Sequence, residues 1–71
     1  MNNQKLVSLE KDPFGEFEVR ILWDHEWNEY VVECVRLPYY FHVSSYYTDC
    51  YKDAVDTSRL FIKEIEEGKI S

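Results

Sequence analysis

Seventy-one residues suffice for one domain and leave no room for a second. Fourteen acidic side chains against eight basic ones give a net charge of −6 with no Lys/Arg cluster. Direct nucleic-acid binding and adsorption to an anionic membrane both depend on basic side chains, so both are disfavoured. A hydrophobic fraction of 45% and an aromatic fraction of 17% exclude a disordered segment.

A chain of this length buries only about 60% of the surface its unfolded form exposes, so its own core stabilises it modestly. Six tyrosines, four phenylalanines and two tryptophans are more aromatic surface than one sheet and one helix readily hide. The surplus predicts association, either with a protein partner whose surface is basic or with a second copy as a homodimer. Met1-Asn2-Asn3-Gln4-Lys5 leads into no apolar segment of signal-peptide type, and no apolar run approaches the roughly 20 residues of a membrane helix. A cytoplasmic location is therefore expected. Cys34 and Cys50 lack CxxC spacing and are expected as free thiols.

In chain order, residues 1–5 are polar and expected to fray, and Leu6-Val7-Ser8-Leu9 is a candidate short strand. Asp12-Pro13-Phe14-Gly15 carries turn chemistry, with Pro fixing φ and Gly free to take positive φ. Phe17, Val19, Ile21 and Trp23 then alternate with Glu16, Glu18, Arg20 and Asp24, the pattern of a strand with one buried and one wet face. Asp24-His25-Glu26-Trp27-Asn28 has hairpin length. From Tyr30 to Leu37 both faces are apolar, which predicts a central strand covered by the helix on one side and by aromatics or a partner on the other. Pro38 ends it, since proline cannot donate to a ladder. Phe41 to Thr48 supplies another aromatic-rich strand.

Thr48-Asp49 offers a helix start, with Thr48 or Asp49 as the capping side chain. Tyr51, Ala54, Val55, Ser58, Phe61, Ile62 and Ile65 recur at spacings of three and four as one apolar stripe, and Gly68 is a ready C-terminal cap. The expected fold is α+β. Three antiparallel strands, 17–24, 29–37 and 41–48, form a sheet, with a four-stranded sheet that adds Leu6–Leu9 as the alternative, and a helix over 50–67 lies on the face carrying Phe17, Val19 and Ile21. Phe61 and Ile62 are expected in the core.

No constellation points to catalysis. His25 lies beside Asp24 and Glu26, and His42 beside Ser44 and Ser45, but adjacent strand residues face opposite ways and build no triad. Cys50 near a helix start is the only candidate thiol nucleophile. Asp24, His25, Glu26, Cys34, His42 and Cys50 are too scattered for a zinc site, and Asp49, Asp53 and Asp56 lie on a helix rather than in a calcium loop. Gly15 and Gly68 form no phosphate-cradling loop. No metal, cofactor or enzymatic activity is expected, a small enzyme using His25 or His42 being the alternative from another class.

Two features remain. Glu16 and Glu18, two residues apart on one strand, would stand about 6.6–6.8 Å from one another. With Glu10, Asp12, Asp24, Glu26 and Glu29 they could imitate a phosphate backbone. Trp27 in a polar loop and Tyr39-Tyr40 after Pro38 are the aromatics least explained by packing, although Trp27 could instead fold back over the sheet. The expected partner surface is thus Glu16, Glu18, Asp24, Glu26, Trp27, Glu29, Tyr39 and Tyr40. Its expected use is to inhibit a nucleic-acid-handling complex, as phage and mobile-element proteins do.

Tyr30-Val31-Val32-Glu33 through Leu37-Pro38, a following strand, then Asp49-x-x-x-Asp53-Ala54 opening a helix resembles the N-terminal domain of HicB-type antitoxins over about forty residues. It departs from that family where a glycine would follow the proline. The resemblance implies a second function, neutralising a basic ribonuclease toxin.

Overall fold

The computed structural model describes residues 3–69. Four strands, β1 (Gln4–Lys11), β2 (Phe17–Asp24), β3 (Glu29–Arg36) and β4 (Phe41–Thr48), precede one helix, α1 (Tyr51–Glu66). The strands form an antiparallel meander in the order β1-β2-β3-β4, with α1 packed against it, so the expected α+β architecture holds. β1 is longer than the sequence suggested. Gln4 and Lys5, expected to fray, pair with Asp24 and Trp23. As an edge strand exposed along most of its length, β1 has no buried face to impose an apolar period. Met1 and Asn2 lie outside the described residues.

Phe17, Val19 and Ile21 of β2 and Val32 and Cys34 of β3 pack with Ala54 and Ile65 of α1. Tyr30, Val43, Val55, Phe61 and Ile62 join this core only half-buried, so Phe61 and Ile62 flank it rather than fill it. The helix rests on β2, β3 and β4. Its N-cap is Cys50, which makes no side-chain capping bond, and Asp53 is the acid of its first turn, so Thr48 and Asp49 do not cap it. Thr48 Oγ1 instead accepts from Cys50 N–H at 3.2 Å, closing the turn that leads in. Gly68 ends the helix as expected. Its φ of +74° lets its N–H reach Ile65 O at 3.0 Å while Lys69 N–H reaches Glu64 O at 2.8 Å, a Schellman pair.

The turns carry their own polar scaffolds. Asp12, buried between β1 and β2, accepts from Phe14 N–H at 3.0 Å, Glu16 N–H at 2.8 Å and Phe17 N–H at 2.7 Å. Leu37 N–H donates to Glu16 O at 2.8 Å, joining the β1–β2 and β3–β4 turns at one end of the sheet. The Leu37–Pro38 peptide is cis. The β2–β3 loop lies at the other end.

Candidate protein-binding surface

At the β2–β3 end, the buried Asp24 carboxylate shapes the loop. Its Oδ1 accepts from Glu26 N–H at 2.9 Å and from Trp27 N–H at 3.3 Å, while Gln4 Nε2 donates to Oδ2 at 3.3 Å. Burial raises the carboxyl pKa, but the Gln4 bond, the two loop N–H groups and nearby His25 outweigh it and hold it below the ordinary value. Asn28 completes the turn at φ +51°, a left-handed conformation asparagine tolerates well. The loop backbone is thus fixed, and its Trp27 side chain stands 70% exposed between Glu26 and Asn28. The alternative in which Trp27 folds over the sheet does not occur. Glu26 is exposed and Glu29 half-buried beside it. Thr48 pairs with Tyr30, so the chain leaving β4 through Asp49 returns to this same end.

The opposite end carries Glu16, Tyr39 and Tyr40, all exposed. Eight-residue strands separate the two ends by about 23 Å, so the eight residues expected as one surface fall into two groups. Phe14 and Phe41 join the distal group, and the Tyr39 and Phe41 rings meet at a tilt of 56° with centroids 5.9 Å apart. The adjacent Tyr39 and Tyr40 both face outward. Tyr39 lies tilted against Phe41, whereas Tyr40, at φ +58°, lays its ring over Arg20, 5.7 Å from the guanidinium carbon. Such a φ is strained for a bulky side chain.

The Glu16–Glu18 carboxylate row does not form. Glu16 precedes β2 in the turn, whereas Glu18, only 4% exposed, lies on the sheet face opposite the helix, with Arg20 Nε 3.5 Å from its carboxylate. Arg20 Nη2 reaches Glu33 at 3.7 Å. The face expected to be wet is in fact half-buried, because β1 and β3 flank β2 and their side chains lie against one another. Glu18 and Asp24 therefore leave the exposed acidic surface, the first to an ion pair and the second to the loop.

The histidines do not meet. The His25 ring stands edge-on to Trp23 at 6.4 Å in the β2–β3 end, while His42, aligned with Val35, hydrogen-bonds Ser45. Cys34 is buried, which raises its thiol pKa, and Cys50 is exposed; both are free thiols. Among the described residues no three His, Cys, Asp or Glu side chains converge as a metal site, and no helix is long and apolar enough to cross a membrane. An open groove of about 510 Å³, lined by Lys5, Leu6, Val7, Trp23, His25 and Tyr30, runs beside the loop end.

Sequence reasoning missed Phe14 and Phe41 as exposed aromatics, since each sits beside a turn or strand pattern that reads equally well as core. It also missed the scaffold role of Asp12 and Asp24, for which Asx-turn chemistry before a loop was the available signal. No family model, curated protein or solved structure matches this chain.

Proposed function

We propose that this domain is a non-catalytic protein-binding module whose β2–β3 end docks on a basic surface of a protein partner. The observation that supports this best is Trp27, exposed on a loop whose backbone Asp24 already holds in place. A large side chain on a preorganised loop loses little entropy on binding, and tryptophan is among the residues most enriched in interface hot spots. Glu26 and Glu29 border it, and the net charge of −6 attracts a basic partner over long range. The most concrete version is an inhibitor that occupies a surface of a nucleic-acid-handling complex. A small basic ribonuclease toxin is the other partner of matching charge.

Affinity capture with the native chain and with Trp27→Ala as parallel baits tests the proposal. A basic partner retained by the native chain and lost by the folded variant supports it, and the identity of that partner separates the two versions. Equal capture by both baits overturns the role of Trp27. Capture that does not weaken as salt rises overturns the electrostatic part, because exposed charges are screened over about 8–10 Å at physiological ionic strength.

A further inference from the structure

We propose that the groove beside edge strand β1 binds the C-terminal residue of a peptide chain, its carboxylate toward Lys5 and an aromatic side chain against Trp23. The groove holds about 510 Å³ between Lys5, Leu6 and Val7 of β1 and Trp23, His25 and Tyr30. That size lies within the roughly 300–1,000 Å³ of small-ligand sites. Charge, ring chemistry and backbone each point to the same occupant.

The strand register sorts charge between the two sides of the sheet. Lys5, Trp23 and Tyr30 stand in one row, on the side where Phe17, Val19 and Ile21 meet α1. Strand alternation sends Glu18, Asp24, Glu29 and Glu33 to the other side. Among the described residues Glu10 is the one acid the strands place on the Lys5 side. Its partner Val19 lies four residues from Trp23, about 13 Å along the strand. Asp53 of α1 is turned to Tyr46 on the far edge strand, and the exposed Glu26 and Asp49 do not line the groove. In a chain of net charge −6 the lining therefore holds two bases, Lys5 and His25, and no acid. Lys5 has no ion pair among the described residues. The complementary ligand is an anion.

The floor selects a ring. Trp23 and Tyr30 meet at 4.8 Å, His25 stands edge-on to Trp23 at 6.4 Å, and Tyr51 closes the row behind Tyr30 at 5.4 Å. Trp23 and Tyr30 are only half-buried, so part of each ring remains open to a ligand. Aromatic side chains gain from edge-to-face and offset contacts beyond the area they bury.

The backbone of β1 selects a peptide, and the end of one. No strand pairs with the outer side of β1 among the described residues. Such an edge is where an extended segment adds to a sheet. The register shifts between Leu6 and Ser8 and leaves Val7 as a bulge, which interrupts regular pairing. On the Lys5 side of the bulge only the short Gln4–Leu6 stretch stays in register, room for the end of a chain rather than a whole strand. A segment antiparallel to β1 runs toward the N-terminal end of that strand. Its last residue therefore brings the terminal carboxylate to Lys5.

Trp27 does not line the groove, so this site and the Trp27 anchor fail separately. The test titrates the isotope-labelled native chain, by NMR, with an acetylated four-residue peptide ending in phenylalanine with a free carboxylate. Its C-terminal amide, its counterpart ending in alanine, and N-acetylphenylalanine are the comparison probes. The free-acid peptide should shift the Lys5, Leu6 and Val7 amides and the Trp23 indole to saturation. It should bind at least about tenfold more tightly than its amide, the order of a hydrogen bond to a charged group. Lys5→Gln, at an exposed position, should erase that preference while circular dichroism stays native, and Lys5→Arg should keep it. Trp27→Ala should leave binding unchanged. Absence of saturable shifts overturns the proposal, and so does equal binding of acid and amide or of the phenylalanine and alanine peptides. N-acetylphenylalanine binding as tightly as the peptide overturns the backbone part and leaves a site for small aromatic acids. Shifts centred on Tyr39 and Phe41 would place binding at the distal end and overturn it as well.

Discussion

Tyr46 Oη donates a hydrogen bond to Asp53 Oδ2 at 2.7 Å, tying edge strand β4 to the first turn of the helix that follows it. The bond exists only while the phenol keeps its proton, so that bond first, and the Asp53 charge after it, raise the Tyr46 pKa above 10.0. A group whose folded-state pKa is raised contributes its full stability below the unfolded value and loses it as pH climbs through the folded value. The tie is therefore intact at neutral pH and lost only above pH 10. Alkaline titration of the melting temperature should show a fall in that range that Tyr46→Phe reduces. Identical alkaline profiles for the two proteins would remove Tyr46 from the account.

Asp24 behaves in the opposite sense. Its pKa is held below 3.8, so its contribution is present above that value and disappears as pH falls through the lower folded value. Acidification should therefore loosen the β2–β3 loop, and Asp24→Ala should do so at neutral pH. Amide exchange at Glu26 and Trp27, whose N–H groups Asp24 holds, measures this directly. Affinity for the partner should fall in Asp24→Ala even though Trp27 is retained, because the loop would then have to be ordered on binding.

The buried Asp12 carboxylate accepts three backbone N–H groups of an exposed turn, and of these the Phe17 N–H is itself buried, so Asp12→Ala strands that donor. Leaving a buried donor unsatisfied costs about 1–3 kcal/mol. The melting temperature should drop by at least about 4–8 °C, the shift that roughly 1 kcal/mol produces in a domain this size. A drop within about 1 °C would mean that water replaces the carboxylate without loss.

Core substitutions should rank by burial. Ile65, 6% exposed among Phe17, Val19 and Cys34, should cost about 2–5 kcal/mol when changed to alanine. Phe61, half-buried at the edge of that cluster, should cost less than the roughly 3–5 kcal/mol of a fully buried phenylalanine. Urea titrations of Ile65→Ala and Phe61→Ala check the order, and Phe61→Ala as the more damaging change would contradict it.

Two periodicities made most of the fold legible. The alternation of Phe17, Val19 and Ile21 and the helical stripe ending in Ile65 both follow a buried face, so apolar patterning records them. Most of β1 is exposed on both faces, and exposed strands are under no such pressure, which is why Gln4 and Lys5 read as a frayed end. Glu18 read as a wet acid because strand alternation assigns it to the face opposite Phe17. That face is nonetheless close-packed by neighbouring strands, a tertiary fact absent from the β2 sequence. Trp27 was legible as an outlier because its loop is polar. That Tyr39 and Tyr40 lie at the other end of the sheet follows from the meander once it is drawn, yet nothing local to those residues says so.

The central claim is that Trp27 is an anchor for a protein partner, and one paired measurement on Trp27→Ala tests it. The side chain is 70% exposed, so the melting temperature should stay within about 2 °C of the native value, as for surface substitutions generally. Binding to the captured partner, by calorimetry at fixed salt, should weaken by about 2 kcal/mol or more. A folded Trp27→Ala protein that binds at full strength would contradict the claim.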